Sequence, residues 1–185
     1  MDVIDLENKL SVQQLSFALS TDLWEKVDVG VINYIQSNAW QEIKFLEENG
    51  EYSAQVSEIP NEVGGIYLFY INPNIIKDNH KFLCYIGRAH KTSSMNLRTR
   101  VRCYKDYENA PKKLDRPKLR KLFCHWSKFI YCRYLPIPDN VTICNKRGND
   151  LIDYIEAELI NGLLPPCNTQ IPNVTISNAK SRAFI

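Results

Sequence analysis

Two β-prone runs separated by a short connector constrain this chain more than any other feature. Residues 65–71 read Gly-Ile-Tyr-Leu-Phe-Tyr-Ile and residues 81–87 read Lys-Phe-Leu-Cys-Tyr-Ile-Gly, with Asn72-Pro73-Asn74 closing the first run. A connector of that size favours an antiparallel pair. A third β-rich run covers 129–135 and ends at Pro136. Between the second and third runs the pattern predicts helices over about 95–107 and 117–126. A last helix is expected from Asn149, a good N-cap, to just before Pro165-Pro166. The fold class expected is α/β in the broad sense (α+β): a small three-stranded antiparallel sheet flanked by helices.

The first sixty residues read as a helical extension. Ser11 to Gln14 match a capping box, with Leu15, Leu19 and Leu23 following on one face. A second helix is expected from about Asn38, burying Trp40, Ile43 and Leu46 and stopping at Gly50. Residues 57–64, containing Pro60 and Gly64, read as a linker. The domain division is therefore 1–60 for the extension and 61–185 for the main domain.

Charge follows the same division. Residues 1–64 carry twelve acidic and three basic side chains, whereas 65–185 carry nine acidic and twenty basic ones, so the formal net charge of +2 conceals two halves of opposite sign. Within 88–133 alone there are fourteen Lys or Arg against Asp106, Glu108 and Asp115. That asymmetry fits a polyanion-binding domain with an acidic extension, although a solvated basic face explains the charge alone equally well. Three roles stay open for the acidic segment: it docks on the basic surface and competes with a polyanion, it forms a homodimer interface, or it completes the core.

Other classes are disfavoured. No apolar run approaches the roughly 18 residues needed to span a bilayer. The N-terminus, Met1-Asp2-Val3-Ile4-Asp5, is acidic where a secretory leader is basic. A soluble, cytoplasmic chain with no membrane partner is expected. The six cysteines contain no C-x-x-C pair, which argues against a structural zinc site and for buried, reduced thiols.

The last helix holds a carboxylate in an unexpected place. Ile152, Ile155, Leu159, Ile160 and Leu163 form one apolar stripe at helical spacing, and Glu156 falls within it. Glu158 is expected on the solvated side. An ionised carboxylate facing a core costs several kcal/mol unless a cation compensates it. Glu156 therefore either pairs with a buried arginine or ligates a metal in a cleft. On the 95–107 helix, Leu97, Val101 and Tyr104 mark the inner face. Arg100 lies at its edge, able to reach the same cleft or to remain a surface charge, with Arg98 and Arg102 on the other flank.

Taken together, these segments resemble the GIY-YIG nuclease superfamily. The first strand carries Gly65-Ile66-Tyr67, and the second carries Tyr85-Ile86-Gly87 followed by Arg88-Ala89. Leu97-Arg98-Thr99-Arg100 puts an arginine where the family has its own. Tyr104 stands where members carry His or Tyr, Glu156 matches the metal-binding glutamate, and Asn168 matches the closing asparagine. The similarity covers roughly 65–168. Departures are the longer connector 72–80, the long basic stretch after Tyr104 and the acidic extension.

The resemblance implies a metal-dependent DNA endonuclease that hydrolyses phosphodiester bonds. Tyr67, Tyr85, Arg100 and Glu156 would be catalytic, and Arg88, Tyr104 and Asn168 supporting. Glu156 would hold one Mg2+ or Mn2+, since oxygen ligation suits hard cations. Arg100 would stabilise charge on the phosphate, and Tyr67 would act as general base, assisted by Tyr85. Arg98, Arg102, Lys112, Lys113, Arg116, Lys118, Arg120, Lys121 and Lys128 would follow the nucleic-acid backbone, contributing affinity rather than sequence reading. DNA is the expected partner, with RNA not separated from it. Within the enzyme class a restriction or defence nuclease is favoured over a structure-specific repair or recombination nuclease. The competing class is a non-catalytic nucleic-acid-binding protein on a nuclease scaffold. His90 reads either as a proton carrier or as an exposed loop histidine.

Overall fold

The computed structural model of the chain describes residues 14–76, 80–105 and 117–168. Strands β2 (Gly64–Ile71), β3 (Phe82–Ala89) and β4 (Ile130–Ile137) form the antiparallel sheet expected from the three β-rich runs. A fourth strand, β1 (Gln41–Lys44), joins its edge, giving the order β1-β4-β2-β3. The sheet is thus four-stranded rather than three-stranded, and the fold is α+β.

That fourth strand replaces the helix expected from Asn38. Gln41 pairs with Tyr134 and Lys44 with Tyr131, and Ile43 is buried against the sheet. Trp40, Ile43 and Leu46 recur at a spacing that suits one face of a helix, whereas here Trp40 and Ile43 pack into different cores. Pairing with a partner ninety residues away settles it, because backbone hydrogen bonds to an existing sheet outweigh a marginal helical preference. Gly50 still ends a local element, turning the chain at φ 78 so that Leu46 bridges Tyr52.

Among the described residues near the N-terminus, α1 (Thr21–Trp24) and α2 (Val29–Ser37) are helical. Of the helix expected through Leu15 and Leu19, the capping residues 11–13 lie outside the described residues; 14–20 have no regular structure, and Leu19 is 76% exposed. Asp28 caps α2, its carboxylate accepting the Val31 N–H at 3.1 Å. Glu158 accepts the Asp28 N–H at 2.8 Å, so it anchors α2 instead of facing only solvent.

Alternation along β2 sends its side chains to two cores. Tyr67, Phe69 and Ile71 face one, which is closed by α3 (Leu97–Arg102), α4 (Pro117–Trp126) and the segment carrying Phe45, Leu46, Val56 and Ile59. Ile66 faces the other, where α5 (Gly148–Leu163) contributes Leu151, Ile152, Ile155, Leu159 and Ile160 and α2 contributes Val31. Residues 31–59 therefore belong to the same two cores as the sheet, the simplest of the three roles open to the N-terminal segment. A two-stranded hairpin, β5 (Thr142–Ile143) and β6 (Lys146–Arg147), precedes α5. Its turn residues Cys144 and Asn145 both have positive φ, the geometry that a tight hairpin requires.

Helix α3 is shorter than the 95–107 expected. Asn96 caps it by accepting the Thr99 N–H at 2.9 Å. Its next two amides, Leu97 and Arg98, donate to Val63 and Pro60 carbonyls, so the 57–64 linker holds the start of this helix. Helix α5 begins at Gly148, with Arg147 rather than Asn149 at the N-cap. It stops at Leu164, which is left-handed at φ 44, before Pro165-Pro166. Among the described residues no helix is long and apolar enough to cross a membrane.

Candidate active site

The cleft lies along β3, an edge strand, and is built by side chains that reach it from several elements. It has a volume of about 430 Å3, and its lining includes Tyr67 from β2, Tyr85 and Arg88 from β3, Arg100 from α3, and Glu156 from α5. Asn168, beyond α5, also lines it. Every residue that the sequence marked as catalytic is here, whereas Tyr104 touches the set from beneath.

Three phenols make the floor. Tyr67 and Tyr104 hydroxyls lie 2.7 Å apart, and Tyr104 donates to Tyr85 at 3.0 Å. A hydroxyl has one proton to give, so Tyr104, committed to Tyr85, accepts from Tyr67 and the row runs Tyr67 to Tyr104 to Tyr85. Phe69 meets the Tyr67 and Tyr104 rings edge-on, and Phe123 stacks on Tyr104. Burial pushes the Tyr67 phenol far above its ordinary pKa; Tyr85 adds to the rise, and Arg100 opposes it. Tyr104 is raised for the same first reason. Arg100 is half-buried, with its guanidinium 6.0 Å from the Tyr104 ring centre.

Gly87 explains how Tyr67 reaches this position. The two residues face each other in the β2–β3 register, and a Cβ on Gly87 would stand 2.5 Å from the Tyr67 ring. The missing side chain is therefore the space that the phenol occupies.

Charged groups make the rim. The Glu156 side chain is 12% exposed and pairs with the Arg88 guanidinium. Of the two outcomes left open for Glu156, the ion pair is present, but its partner is Arg88 rather than Arg100. Burial is the largest influence on Glu156 and holds its pKa above the ordinary carboxylate value, against the pull of Arg88. Arg88 also reaches Asp153, with Nε 2.7 Å from Oδ1, and the same Asp153 oxygen meets His90 Nε2. Sequence reasoning missed Asp153, although its place three residues before Glu156 puts the two carboxylates on one side of the helix.

Asn168 secures the edge. Its Oδ1 accepts the Ile86 N–H at 2.9 Å and its Nδ2 donates to the Ile86 carbonyl at 2.8 Å. With the Cys167 N–H donating to the Cys84 carbonyl at 2.9 Å, residues 167–168 act as a fragment of strand beside β3. Cys84, Cys132 and Cys167 are buried free thiols, whereas Cys124 and Cys144 are exposed. Burial pushes the Cys167 thiol up to about 12, an unreactive state at neutral pH.

The residues expected to follow a nucleic-acid backbone divide into groups. Arg120, Lys121 and Lys128 are exposed, and Lys118 is half-buried beside Leu119, which lines the cleft. Arg98 donates from Nε to the Ile59 carbonyl at 2.5 Å, and Arg102 lies 5.1 Å over the Tyr52 ring. Both are thus partly engaged by the N-terminal segment. Lys112, Lys113 and Arg116 lie outside the described residues.

A single carboxylate, Glu156, faces the cleft as a hard oxygen donor, and no group of three or more His, Cys, Asp or Glu able to hold a metal occurs among the described residues. Such a site does not fit zinc held wholly by protein. It does fit Mg2+ or Mn2+, which accept one or two carboxylates and complete their shell with water and phosphate oxygens. Comparison with known proteins adds nothing to the geometry: no family model matches the chain, and neither curated proteins nor solved structures give a significant match.

Proposed function

We propose that this chain is a metal-dependent endonuclease of the GIY-YIG type, hydrolysing phosphodiester bonds in DNA. The observation that carries the reading is the convergence of Tyr67, Tyr85, Arg88, Arg100 and Glu156, from four separate elements, on one cleft. Phenols from two neighbouring strands, two guanidiniums and a nearly buried carboxylate are what hydrolysis of a phosphate diester asks for: a proton acceptor, charge stabilisation and a cation ligand. A divalent ion held by Glu156 supplies, when bound, Lewis-acid neutralisation of the scissile phosphate.

The chain's own groups account for the rest. Arg100 binds the phosphate and stabilises the charge that develops on it. Arg88 turns from Glu156 toward phosphate oxygens while Asp153 retains its Nε. Tyr67 takes the proton of the attacking water at its hydroxyl oxygen. Its raised pKa makes a standing phenolate costly, and the directional row of hydroxyls answers this: Tyr67 passes its own proton to Tyr104 as it gains one, Tyr104 passes another to Tyr85, and Tyr85, which lines the cleft, releases its own to solvent. Exposed cations of α4 beside the cleft extend the phosphate-binding surface.

Supercoiled plasmid incubated with Mg2+, Mn2+ or EDTA, alongside Glu156→Ala, tests the reading. Metal-dependent cleavage lost in the variant is expected; discrete bands would add sequence specificity of the restriction or defence kind. Nicking without bands would direct attention to branched substrates. A second reading, a nucleic-acid-binding protein without catalysis, is favoured by one feature, the occupation of Glu156 by Arg88. Retained binding with no cleavage in any metal would select it.

A further inference from the structure

We infer that His90, oriented by Asp153, is the general acid that protonates the departing sugar oxygen. The inference rests on the nuclease reading above and adds a residue that reading does not use. His90 follows β3 directly, lines the same cleft as Tyr67, Arg88 and Glu156, and is 33% exposed. Its Nε2 meets Asp153 Oδ1 on α5. With that carboxylate accepting from Nε2–H, Nδ1 is the nitrogen left to exchange a proton with substrate. The charged groups around the ring are Asp153 and Glu156 on α5 and Arg88 on β3.

Placement supports the role. An in-line displacement puts attacking and leaving oxygens on opposite sides of phosphorus. The phenol row serves one side from the buried floor of the cleft, and His90 stands at the rim, with the phosphate-binding Arg88 only two residues away. A purely structural tie between the end of β3 and α5 is supplied separately, since the Lys91 N–H donates to Asn149 Oδ1 at 3.3 Å. The step balances without any further reactant. Water oxygen bonds to phosphorus, its proton enters the phenol row at Tyr67, and one proton leaves the row from Tyr85 to solvent in the cleft. The bond from phosphorus to the sugar oxygen breaks with its electron pair on oxygen, and the proton on Nδ1 moves to that oxygen. Solvent then reprotonates the imidazole.

The test compares two substrates at a mapped cut site, the ordinary ester and one whose leaving oxygen is replaced by sulfur, which departs without a proton. His90→Ala is expected to slow cleavage of the ordinary ester by about 10²–10³-fold, within the range for loss of a general acid. On the sulfur-bridged substrate the variant and the wild type are expected to cleave at indistinguishable rates. His90→Gln, which keeps a donor for Asp153 but cannot act as an acid, should behave as His90→Ala does. Asp153→Asn should show a smaller deficit with the same sulfur rescue, as befits a positioning residue. Melting temperature and DNA affinity in EDTA should be unchanged in His90→Gln. An equal deficit on both substrates, or none on either, overturns the inference while leaving the nuclease reading intact. If wild type and Glu156→Ala are both inert on both substrates, the nuclease reading fails and this inference falls with it.

Discussion

The floor and the rim of the cleft stand side by side and are held by opposite physics. On the floor, Tyr67, Tyr104 and Tyr85 are neutral, buried and locked by ring packing, with their hydroxyls in one row. At the rim, Arg88, Asp153 and His90 are partly open and Glu156 is nearly buried; Arg88 pairs with both carboxylates, and Asp153 also meets His90. Buried packing fixes positions to a few tenths of an ångström but resists change. Exposed ion pairs contribute little stability individually and exchange partners readily. On the nuclease reading proposed above, a phosphate arriving at this cleft would meet a rigid row of hydroxyls and a set of charges able to re-pair around it.

The rim is expected to yield the largest single effect on activity. Glu156→Ala should reduce cleavage by about 10³-fold or more, the upper range for loss of one preorganised transition-state contact, with a plasmid assay as the readout. Unchanged activity would remove the rim's cation site from the mechanism. Tyr67→Phe tests the floor in the same assay, with an expected loss of about 10²-fold, the lower end for a lost general base. If the loss is small while that of Tyr85→Phe is large, the proton enters the row from its outer end.

Two substitutions ask whether floor and edge are as rigid as the comparison holds. Gly87→Ala places a methyl group against the Tyr67 ring, which should cost about 1–3 kcal/mol by overpacking, measured by urea unfolding, and should lower activity as well. Asn168→Ala leaves the Ile86 N–H and carbonyl without their side-chain partner, an expected cost of about 1–3 kcal/mol for buried polar groups. A loss of cleavage with no loss of stability in either variant would mean that the edge is softer than its hydrogen bonds imply.

The smallest effect concerns pH. Because Glu156 has a raised pKa in the folded chain, the folded state holds that proton to higher pH than the unfolded state. As pH rises above the ordinary value of 4.5, the unfolded chain releases the proton first, so this group's contribution to stability falls. In EDTA, the melting temperature of wild type relative to Glu156→Gln should therefore decrease as pH rises through this interval. A difference that stays flat or reverses would show that Arg88 outweighs burial and that the rim is a stabilising pair.

Much of this was legible beforehand, and for identifiable reasons. Central strands of β-branched and aromatic residues signal themselves locally, and β2, β3 and β4 fall within two residues of the expected runs at each boundary. Glu156 was legible because a carboxylate on an apolar stripe needs an explanation whatever surrounds it. Its neighbours were less so. Glu158 was expected in solvent, but a helix face is solvated only if nothing packs there, and Asp28 donates its backbone amide to it across the chain. Residues 41–44 carried too short a pattern to separate strand from helix.

The sequence by itself determined the alternation that sends Tyr67 to one core and Ile66 to the other, the apolar stripe of α5 and the polar exception within it. These follow from periods of two and 3.6 residues, which are properties of the backbone alone. Tertiary structure alone decided that Arg88, not Arg100, meets Glu156, that Asp153 joins Arg88 to His90, and that residues 41–44 complete the sheet. Each of those outcomes depends on which groups distant in sequence come within a few ångströms. Ion pairs and sheet pairings act over that range only, and it is packing of the whole chain that sets it.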